Sequence, residues 1–248
     1  MIELIDIHKW LGGQEVLRGV DLHIETGETL VIIGRSGCGK TVLLKHLIGL
    51  MRPDQGRILL NGFDYARLST PELYAMRRRF GMVFQGSALF DTMTVAENVG
   101  LGLREHTSMS RDEIAEVVSE RLRMVGLSGL DHQRPAELSG GMKKRVALAR
   151  ALAMDPEYVL YDEPTTGLDP ITADMINELI KCLQAQLTIT SVAVTHDMKS
   201  AYKIADRIAM LYQGRIIFSG SPVEVRETGN PVVQQFIQGI AEGPIECR

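Results

Sequence analysis

Apolar positions along the chain follow the repeats of buried strands and of helices. Val20-Asp21-Leu22-His23-Ile24 alternates apolar and polar side chains, and Thr29-Leu30-Val31-Ile32-Ile33 is a continuous apolar run. Alternation indicates a half-buried strand, and a short unbroken run is typical of a parallel strand buried on both faces. A glycine-rich turn follows, and then a helix is predicted from Lys40 to about Leu50, ended near Arg52-Pro53.

The centre of the chain predicts a helical insertion. Residues 56–84 predict a strand, a helix containing Arg77-Arg78-Arg79 and a strand that ends at Phe84. Residues 86–137 change character, because Ser110 and Glu113 fit a capping box in front of an apolar stripe with helical spacing. The stripe consists of Ile114, Val117, Val118, Leu122 and Val125.

Beyond Leu138 the alternation of helices and strands resumes. The pattern predicts a helix over 139–154, a strand over 158–162, a helix opened by Asp169-Pro170 and a strand over 191–195. A short helix, a strand pair around Gln213-Gly214 and terminal helices follow. We therefore expect one α/β domain with a β-rich N-terminal edge. Its core would comprise residues 1–85 and 155–248, with a helical subdomain over about 86–154.

Composition and charge exclude several classes of protein. Of 248 residues, 45% are hydrophobic and 23% are charged, which is ordinary for a globular protein. The 27 basic and 31 acidic residues give a net charge of −4, so no nucleic-acid partner is expected. No apolar run reaches the ~18–20 residues of a membrane span, and the acidic N-terminus is unlike a signal peptide. We expect a cytoplasmic chain that only a partner would bring to a membrane.

The three cysteines are widely spaced and include no CxxC pair. They are Cys38, Cys182 and Cys247. Neither a disulfide framework nor a zinc site is expected from this spacing.

A phosphate-binding motif stands between the buried strand and the helix that begins at Lys40. Gly34-Arg35-Ser36-Gly37-Cys38-Gly39-Lys40-Thr41 fits the pattern G-x-x-x-x-G-K-[ST]. Glycines let backbone N–H groups approach phosphate oxygens, and a helix N-terminus adds partial positive charge. We expect Lys40 to reach the β- and γ-phosphates of a nucleotide and the Thr41 hydroxyl to hold Mg²⁺.

Two adjacent carboxylates end the strand predicted over 158–162. Asp162 and Glu163 would stand at the edge where ligands bind in open α/β sheets. We expect Asp162 to contact Mg²⁺ through water, because that ion keeps much of its hydration. Glu163 is expected to be the base that polarises an attacking water.

A third motif resembles the signature of the ATP-binding-cassette (ABC) ATPase family: Leu138-Ser139-Gly140-Gly141-Met142. Four further positions match the family in order, and the resemblance covers nearly the whole chain. They are Trp10, where the family places an adenine-stacking aromatic residue, Gln85 of the Q-loop, Asp169 of the D-loop and the switch histidine, His196. The nucleotide-binding segment of the family extends to Val42.

The resemblance implies a P-loop NTPase (RecA-like) core with an ABC-type β-subdomain, and hydrolysis of ATP with Mg²⁺. Water would attack the γ-phosphate, positioned by Gln85, Glu163 and His196, while Lys40 and Mg²⁺ neutralise charge. Gln85 is also implied as a Mg²⁺ ligand, beside Thr41 and Asp162. In the family each nucleotide lies between the phosphate loop of one subunit and the signature of the other. A homodimer is therefore implied, in which Ser139, Gly140, Gly141 and Met142 act on the partner's nucleotide.

The signature places Met142 where the family commonly has glutamine, and Lys143-Lys144-Arg145-Val146 follow. With Phe90-Asp91-x-Met93-Thr94-Val95, this form resembles the ATPases of Mce-associated lipid transporters. The resemblance implies a subunit at the cytoplasmic face of a bacterial inner membrane, moving phospholipid between the inner and outer membranes. The implied partners are an integral permease, whose coupling helix meets residues 86–99, a periplasmic Mce-domain protein and, in some systems, a small STAS-domain protein. Because the chain ends at Arg248, we expect any C-terminal extension for dimer or STAS contacts to be absent or short.

Two other functions are compatible with the shared motifs. One is the ATPase subunit of a transporter for another substrate, such as amino acids. The other is a non-transport ABC ATPase in repair, translation or cluster assembly. Those proteins commonly carry tandem cassettes or large insertions, which 248 residues do not accommodate.

Some residues of these motifs also have a purely structural interpretation. Ser139 and Asp169 suit helix N-caps, the latter with Pro170 at the first helical position. The basic runs Arg77-Arg78-Arg79 and Lys143-Lys144-Arg145 are interpreted as solvated helix faces or partner contacts. Cys38 is interpreted as a small residue tolerated in the loop, and the histidines other than His196 as surface or hydrogen-bonded polar residues.

Overall fold

The computed structural model describes residues 1–245, which divide into two units. The first unit comprises residues 1–73 and the chain from residue 192 onward, and the second comprises residues 74–191. The strands are β1 (Ile2–Leu11), β2 (Gln14–Ile24), β3 (Thr29–Ile33), β4 (Gln55–Leu60), β5 (Phe63–Asp64), β6 (Phe80–Val83), β7 (Tyr158–Asp162), β8 (Thr190–Thr195), β9 (Arg207–Tyr212) and β10 (Arg215–Gly220). The α-helices are α1 (Lys40–Leu47), α2 (Thr70–Arg77), α3 (Val95–His106), α4 (Arg111–Met124), α5 (Gly140–Leu152), α6 (Pro170–Leu187), α7 (Met198–Ile204), α8 (Pro222–Glu227) and α9 (Pro231–Gln238). The unit boundaries fall inside α2 and inside β8.

An antiparallel sheet forms the N-terminal part of the first unit, with strand order β2-β1-β4-β5. Ile2 of β1 stands opposite Ile24 of β2 and opposite Leu60 of β4. The register between β1 and β2 shifts after Leu4, where Asp6 has a φ of +50°. Such a bulge bends a strand and increases its twist.

Parallel strands of the first unit carry the phosphate-loop motif. β3 pairs in parallel with β9, with Leu30 opposite Arg207 and Ile33 opposite Met210, and the strand order in this unit is β10-β9-β3-β8. All five residues of β3 are buried, as the unbroken apolar run predicts. The helix that follows ends at Leu47, short of the predicted end near Leu50. Gly49 has a φ of +68°, a conformation that commonly terminates helices.

The second unit is built on β6 and β7, which pair in parallel. Phe80 stands opposite Tyr158 and Val83 opposite Tyr161, and every residue of both strands is buried. Between these strands in sequence come α3, α4 and α5, which pack on one another. The predicted capping box at Ser110 and Glu113 is confirmed at the start of α4. A helical subdomain over about 86–154 remains a prediction.

The run of three arginines does not lie in one helix, so that prediction is wrong. The helix α2 ends at Arg77, and the carbonyl of Arg79 accepts the N–H groups of Glu157 and Tyr158, which lead into β7. The Arg79 guanidinium forms two bonds of 2.6 Å with the Glu157 carboxylate, which lower the pKa of Glu157. Sheet formation and this ion pair therefore end the helix before Arg79.

A buried glutamine organises the last described residues. The Gln235 side-chain amide, on α9, donates to the carbonyls of Ile240, Ala241 and Ile245 at 3.2 to 3.3 Å. Its oxygen accepts the N–H of Ile245 at 2.6 Å, and the Ile245 side chain is buried. The chain therefore folds back onto α9 up to residue 245.

Two further expectations can be compared with the structure. Cys38 and Cys182 form no disulfide, and Cys247 lies outside the described residues. Within residues 1–245, none of the helices has both the length and the apolar character that crossing a membrane requires.

Candidate functional site

The phosphate-loop motif forms the turn between β3 and α1, and two of its glycines are sterically required. A Cβ on Gly34 would lie 2.4 Å from the carbonyl oxygen of Leu211, and a Cβ on Gly39 would lie 3.1 Å from Val16. Gly39 also caps α1 with a φ of +107°, which other residues rarely adopt. The backbone path of the loop therefore depends on glycine at both positions.

Lys40 lies at the first position of α1 with its side chain buried in the loop. Its ammonium group donates to the carbonyls of Gly34 at 2.8 Å and Arg35 at 3.1 Å. Thr41 and Val42 follow in the first helical turn, and Thr41 is exposed. The loop thus combines a cation, a hydroxyl and a helix N-terminus, which together suit phosphate oxygens.

A cavity of about 490 Å³ opens beside the phosphate loop, a volume typical of a ligand pocket. It is lined by Arg35, Ser36, Gly37, Cys38, Tyr212, Gln213 and Pro244. The half-buried Cys38 side chain therefore faces a cavity, which goes beyond its interpretation as a merely tolerated small residue.

Trp10 lies near the end of β1 with 38% of its surface exposed. Its backbone N–H donates to Asp54 at 2.7 Å, and the Lys9 ammonium donates to the same carboxylate at 2.9 Å. Both bonds lower the pKa of Asp54, and the bond from the Trp10 N–H has the larger effect. The His8 ring stacks on the indole with centroids 5.8 Å apart and planes 13° apart. The Trp10 backbone is therefore fixed by Asp54 and the indole stacks on His8, while part of the side chain stays accessible.

His196 follows directly after β8 and is exposed. The Thr195 hydroxyl accepts the N–H of Asp197, whose carboxylate caps α7. These bonds fix the backbone on both sides of the histidine. The phosphate loop, Trp10 and His196 all belong to the first unit.

Asp162 is the last residue of β7 in the second unit, Glu163 follows it, and both are buried. Glu163 has a φ of +50°, an uncommon conformation for a residue with a side chain. Its carboxylate accepts the Thr166 hydroxyl at 3.2 Å. The turn after the strand therefore fixes the direction of the Glu163 carboxylate.

The interpretation of the basic run after the signature as a solvated face is wrong for Lys144, which is buried, while Lys143 and Arg145 are half-buried. Lys144 is buried, and its ammonium group donates to the carbonyls of Gln85 and Glu163. Burial lowers the pKa of Lys144, while the charges of Asp162 and Glu163 oppose that change. Arg145 donates to the carbonyl of Gly126 at 3.2 Å.

The loop that follows Gln85 is held by the same helix. Ser87 and Ala88 have φ values of +63° and +46°, and Arg150 of α5 donates to their carbonyls at 2.8 and 2.6 Å. The Gln85 side chain is exposed. Sequence reasoning missed Lys144 and Arg150 as partners of this loop.

The signature begins α5 and packs against the start of α6. Ser139 caps α5 by accepting the N–H of Met142 at 3.3 Å, which confirms its predicted role as an N-cap. Asp169 caps α6 by accepting the N–H groups of Ile171 and Thr172 at 3.0 Å, as predicted. The Thr172 hydroxyl and N–H lower the pKa of Asp169. Both N-caps are exposed, and Gly141 of α5 meets Thr172.

Comparison with known proteins shows the family of the chain. Residues 17–166 match the family model described as ABC transporter. The chain is 42% identical to the probable ribonucleotide transport ATP-binding protein mkl of Mycobacterium leprae, over 98% of this chain and 70% of that protein. It is 40% identical to the intermembrane phospholipid transport system ATP-binding protein MlaF of Haemophilus influenzae, over 100% of this chain and 94% of that protein.

A solved structure of a dimeric ATP-binding cassette, in a post-hydrolysis state with ADP and Pi, is similar to this chain with a TM-score of 0.81. Sequence identity is 34%, over 90% of this chain and 99% of that one. The similarity confirms the predicted α/β fold of a P-loop NTPase. From the phosphate loop, the family match and this fold together, we conclude that the chain belongs to the ABC transporter family and is an ATP-binding, ATP-hydrolysing protein.

Proposed function

We propose that this chain is the ATPase subunit of a transporter that moves phospholipid between two bacterial membranes. The observation that carries the proposal is the full-length similarity to MlaF, which is named for intermembrane phospholipid transport. The signature supports it, because Met142 and the basic run that follows resemble the Mce-associated ATPases. The role of the chain itself is mechanical, since ATP binding and hydrolysis would drive movement in membrane-embedded partners.

Within this function the phosphate loop from Gly34 to Val42 binds the phosphates of ATP, and Trp10 stacks on adenine. Lys40 neutralises charge on the β- and γ-phosphates. Glu163 accepts the proton of the attacking water, which Gln85 and His196 help to position. The buried position of Glu163 and its bond to Thr166 support this role, because a general base must be held in a fixed direction.

The candidate Mg²⁺ ligands are a hydroxyl on Thr41, a side-chain amide on Gln85 and, through water, a carboxylate on Asp162. All three offer oxygen atoms, which Mg²⁺ prefers, so the donor set fits the ion. Bound Mg²⁺ would neutralise negative charge on the phosphates.

The functional form is a homodimer in this proposal. The signature residues Ser139, Gly140, Gly141 and Met142 act on the nucleotide held by the partner subunit. The exposed N-terminus of α5 supports this role, because a helix N-terminus attracts anionic phosphate. The similarity to a dimeric cassette supports it as well.

The segment from residue 86 to 99 receives the permease. Buried Asn98 exchanges bonds with Phe90, accepting its N–H at 2.8 Å and donating to its carbonyl at 3.1 Å. The same amide donates to the carbonyls of Met93 and Thr94. The backbone of this segment is therefore fixed while the Phe90 ring is 50% exposed. A fixed backbone with an exposed aromatic ring suits a docking surface.

The partners in this proposal are an integral permease similar to MlaE, a Mce-domain protein similar to MlaD and a small STAS-domain protein similar to MlaB. The chain would then sit peripherally at the cytoplasmic face of the inner membrane. No nucleic acid takes part.

Reconstitution tests the proposal directly. The tagged chain is purified from its native membranes with the proteins that accompany it, and inserted into vesicles of phosphatidylethanolamine and phosphatidylglycerol that contain a fluorescent phosphatidylethanolamine. We expect ATP with Mg²⁺ to drive exchange of the fluorescent lipid with unlabelled acceptor vesicles. Glu163→Gln should abolish both turnover and exchange while ATP still quenches Trp10, the one tryptophan of the chain.

Two variants separate hydrolysis from transport. Phe90→Glu should keep ATP turnover in the isolated subunit and lose lipid exchange or permease binding. Phe63→Glu is the matched control, because Phe63 is 73% exposed on β5, outside the proposed docking segment. ATP-driven uptake of uridine monophosphate without lipid exchange would instead favour the transport activity for which mkl is named.

A further inference from the structure

Lys144 is buried on α5, whereas the basic residues on either side of it are half-buried. Only 6% of Lys144 is exposed. Burial of an ammonium group is costly unless polar partners replace its water. Lys144 has such partners in the carbonyl oxygens of Gln85 and Glu163, the latter at 3.4 Å.

The two carbonyls belong to the loops that follow β6 and β7. These strands pair in parallel, so their carboxyl ends lie at the same edge. One ammonium group can therefore bond to the backbone after both strands. It also lies near the charges of Asp162 and Glu163, which favour its protonated form.

The backbone that Lys144 holds is in an uncommon conformation. Glu163 has a φ of +50°, which only surrounding interactions can maintain in a residue with a side chain. Arg150 holds Ser87 and Ala88 in the same way, by bonds to the carbonyls of two further residues with positive φ. Charged donors make stronger bonds to carbonyls than neutral ones. Lys144 and Arg150 on α5 thus bond to loop residues whose backbone conformation is uncommon.

We propose that Lys144 is a positioning residue for ATP hydrolysis, which holds the backbone of Gln85 and Glu163 so that their side chains stand in productive directions. The inference rests on the proposed roles of those two residues. Lys144 does not touch nucleotide in this account. Its effect is on turnover, since it orients groups used only when water attacks, and not on the affinity for ATP.

The test compares Lys144→Met with Lys143→Met in the purified full-length chain. Both variants remove one positive charge from neighbouring positions of α5, but only Lys144 is bonded to the two loops. We expect Lys144→Met to lower kcat by about tenfold to a hundredfold, the range for losing a bond to a charged group. KM for ATP and the midpoint of Trp10 quenching by ATP should stay within about twofold. Lys143→Met should match the wild type in all three measurements.

Conservative variants keep the inference testable. Lys144→Arg retains the charge and should recover most of the lost kcat. If Lys144→Met does not fold, Lys144→Leu, which also lacks a donor for the two carbonyls, is measured in its place and should show the same loss of kcat at unchanged ATP midpoint. A kcat within about twofold of wild type in the folded neutral variant would overturn the inference. So would equal losses of ATP binding and kcat that arginine does not reverse, because these indicate a merely structural role.

The outcome is distinguishable from failure of the proposed function. If Glu163→Gln turns over ATP at the wild-type rate, the proposed role of Glu163 fails and this inference fails with it. If Glu163→Gln is inactive while folded Lys144→Met has normal turnover, only the role of Lys144 is wrong.

Discussion

At the scale of single residues, the two glycines of the signature have different packing. A Cβ on Gly141 would lie 2.5 Å from Thr172 Cγ2, closer than non-bonded atoms approach. Thr172 cannot easily move away, because its hydroxyl is bonded to the Asp169 carboxylate. A Cβ on Gly140 would lie 3.5 Å from Leu168, which is ordinary contact. Only the second glycine is therefore required for packing within this chain.

Gly141→Ala should lower the free energy of unfolding by about 1–3 kcal/mol, the usual cost of overpacking. Gly140→Ala should be neutral or raise stability by up to about 1 kcal/mol, because alanine favours helix. The double variant Gly141→Ala with Thr172→Ser should recover much of the loss, since serine lacks Cγ2 but keeps its hydroxyl for Asp169. Denaturant unfolding at fixed pH measures all three. Equal stability of the two single variants would contradict the packing argument.

The residue types of the site could be predicted from sequence, and their surroundings only in part. The phosphate loop and the N-caps Ser139 and Asp169 depend on local motifs, which sequence displays directly. Burial of Lys144 was missed because three consecutive basic residues look solvated. Its spacing from Leu148 and Ala151, both buried on α5, is the signal that could have revealed it. The positive φ of Glu163 has no local sequence signal.

At the scale of elements, three helices begin with capping boxes of the same construction. They are α3 with Thr94 and Glu97, α4 with Ser110 and Glu113, and α8 with Ser221 and Glu224. In each box the glutamate accepts the N–H of the N-cap residue, and this bond is the largest cause of a lowered pKa. The ends of these helices are therefore sensitive to acid.

The pKa of Glu113 is below its ordinary value of 4.5 in the folded chain, so its bond stabilises the fold fully above that pH. The contribution is lost as the pH falls through the lower, folded pKa. Glu113→Gln should therefore reduce the loss of stability between about pH 5 and pH 3, measured by denaturant unfolding at several pH values. Glu116→Gln on the same helix is the control, because Glu116 forms no part of a capping box. Identical acid profiles for Glu113→Gln and the wild type would contradict this account.

Element boundaries could be predicted where a local signal is strong. The capping box fixed the start of α4, and Asp169-Pro170 fixed the start of α6. The end of α2 could not be predicted, because Arg79 leaves the helix for a partner distant in sequence, Glu157. Tertiary pairing of this kind overrides helix propensity without altering the local pattern.

At the scale of the whole molecule, the predicted site residues are divided between the two units. The phosphate loop, Trp10 and His196 belong to the first unit, and Gln85, the signature, Asp162, Glu163 and Asp169 belong to the second. Physical reasoning from residues alone could identify the phosphate loop and the paired carboxylates. The order of the remaining motifs along the chain became interpretable only through resemblance to a family, since none of them has a distinctive chemistry by itself.

The fold of residues 240–245 depends on the Gln235 side chain, and a variant can measure how much stability its bonds contribute. Gln235→Ala would remove one partner each from the carbonyls of residues 240, 241 and 245 and from the Ile245 N–H. Buried groups that lose their partner cost about 1–3 kcal/mol, so the free energy of unfolding should fall by that amount. Gln238→Ala, on the exposed side of the same helix, should change it by less than about 0.5 kcal/mol. Equal effects of the two variants on urea unfolding would show that residues 240–245 add no stability.

Gln235 also restricts which substitutions this part of the sequence can accept. A Cβ on residue 243 would lie 2.5 Å from Gln235 Cδ, and Gly243 has a φ of +149°, so replacing it requires both a shorter residue at position 235 and a change of the local backbone. A shorter residue at 235 would give up its bonds to residues 240, 241 and 245 in one step. Among descendants of this chain, we therefore expect positions 235 and 243 to change as a pair or to stay as they are, while exposed neighbours such as Gln238 vary independently.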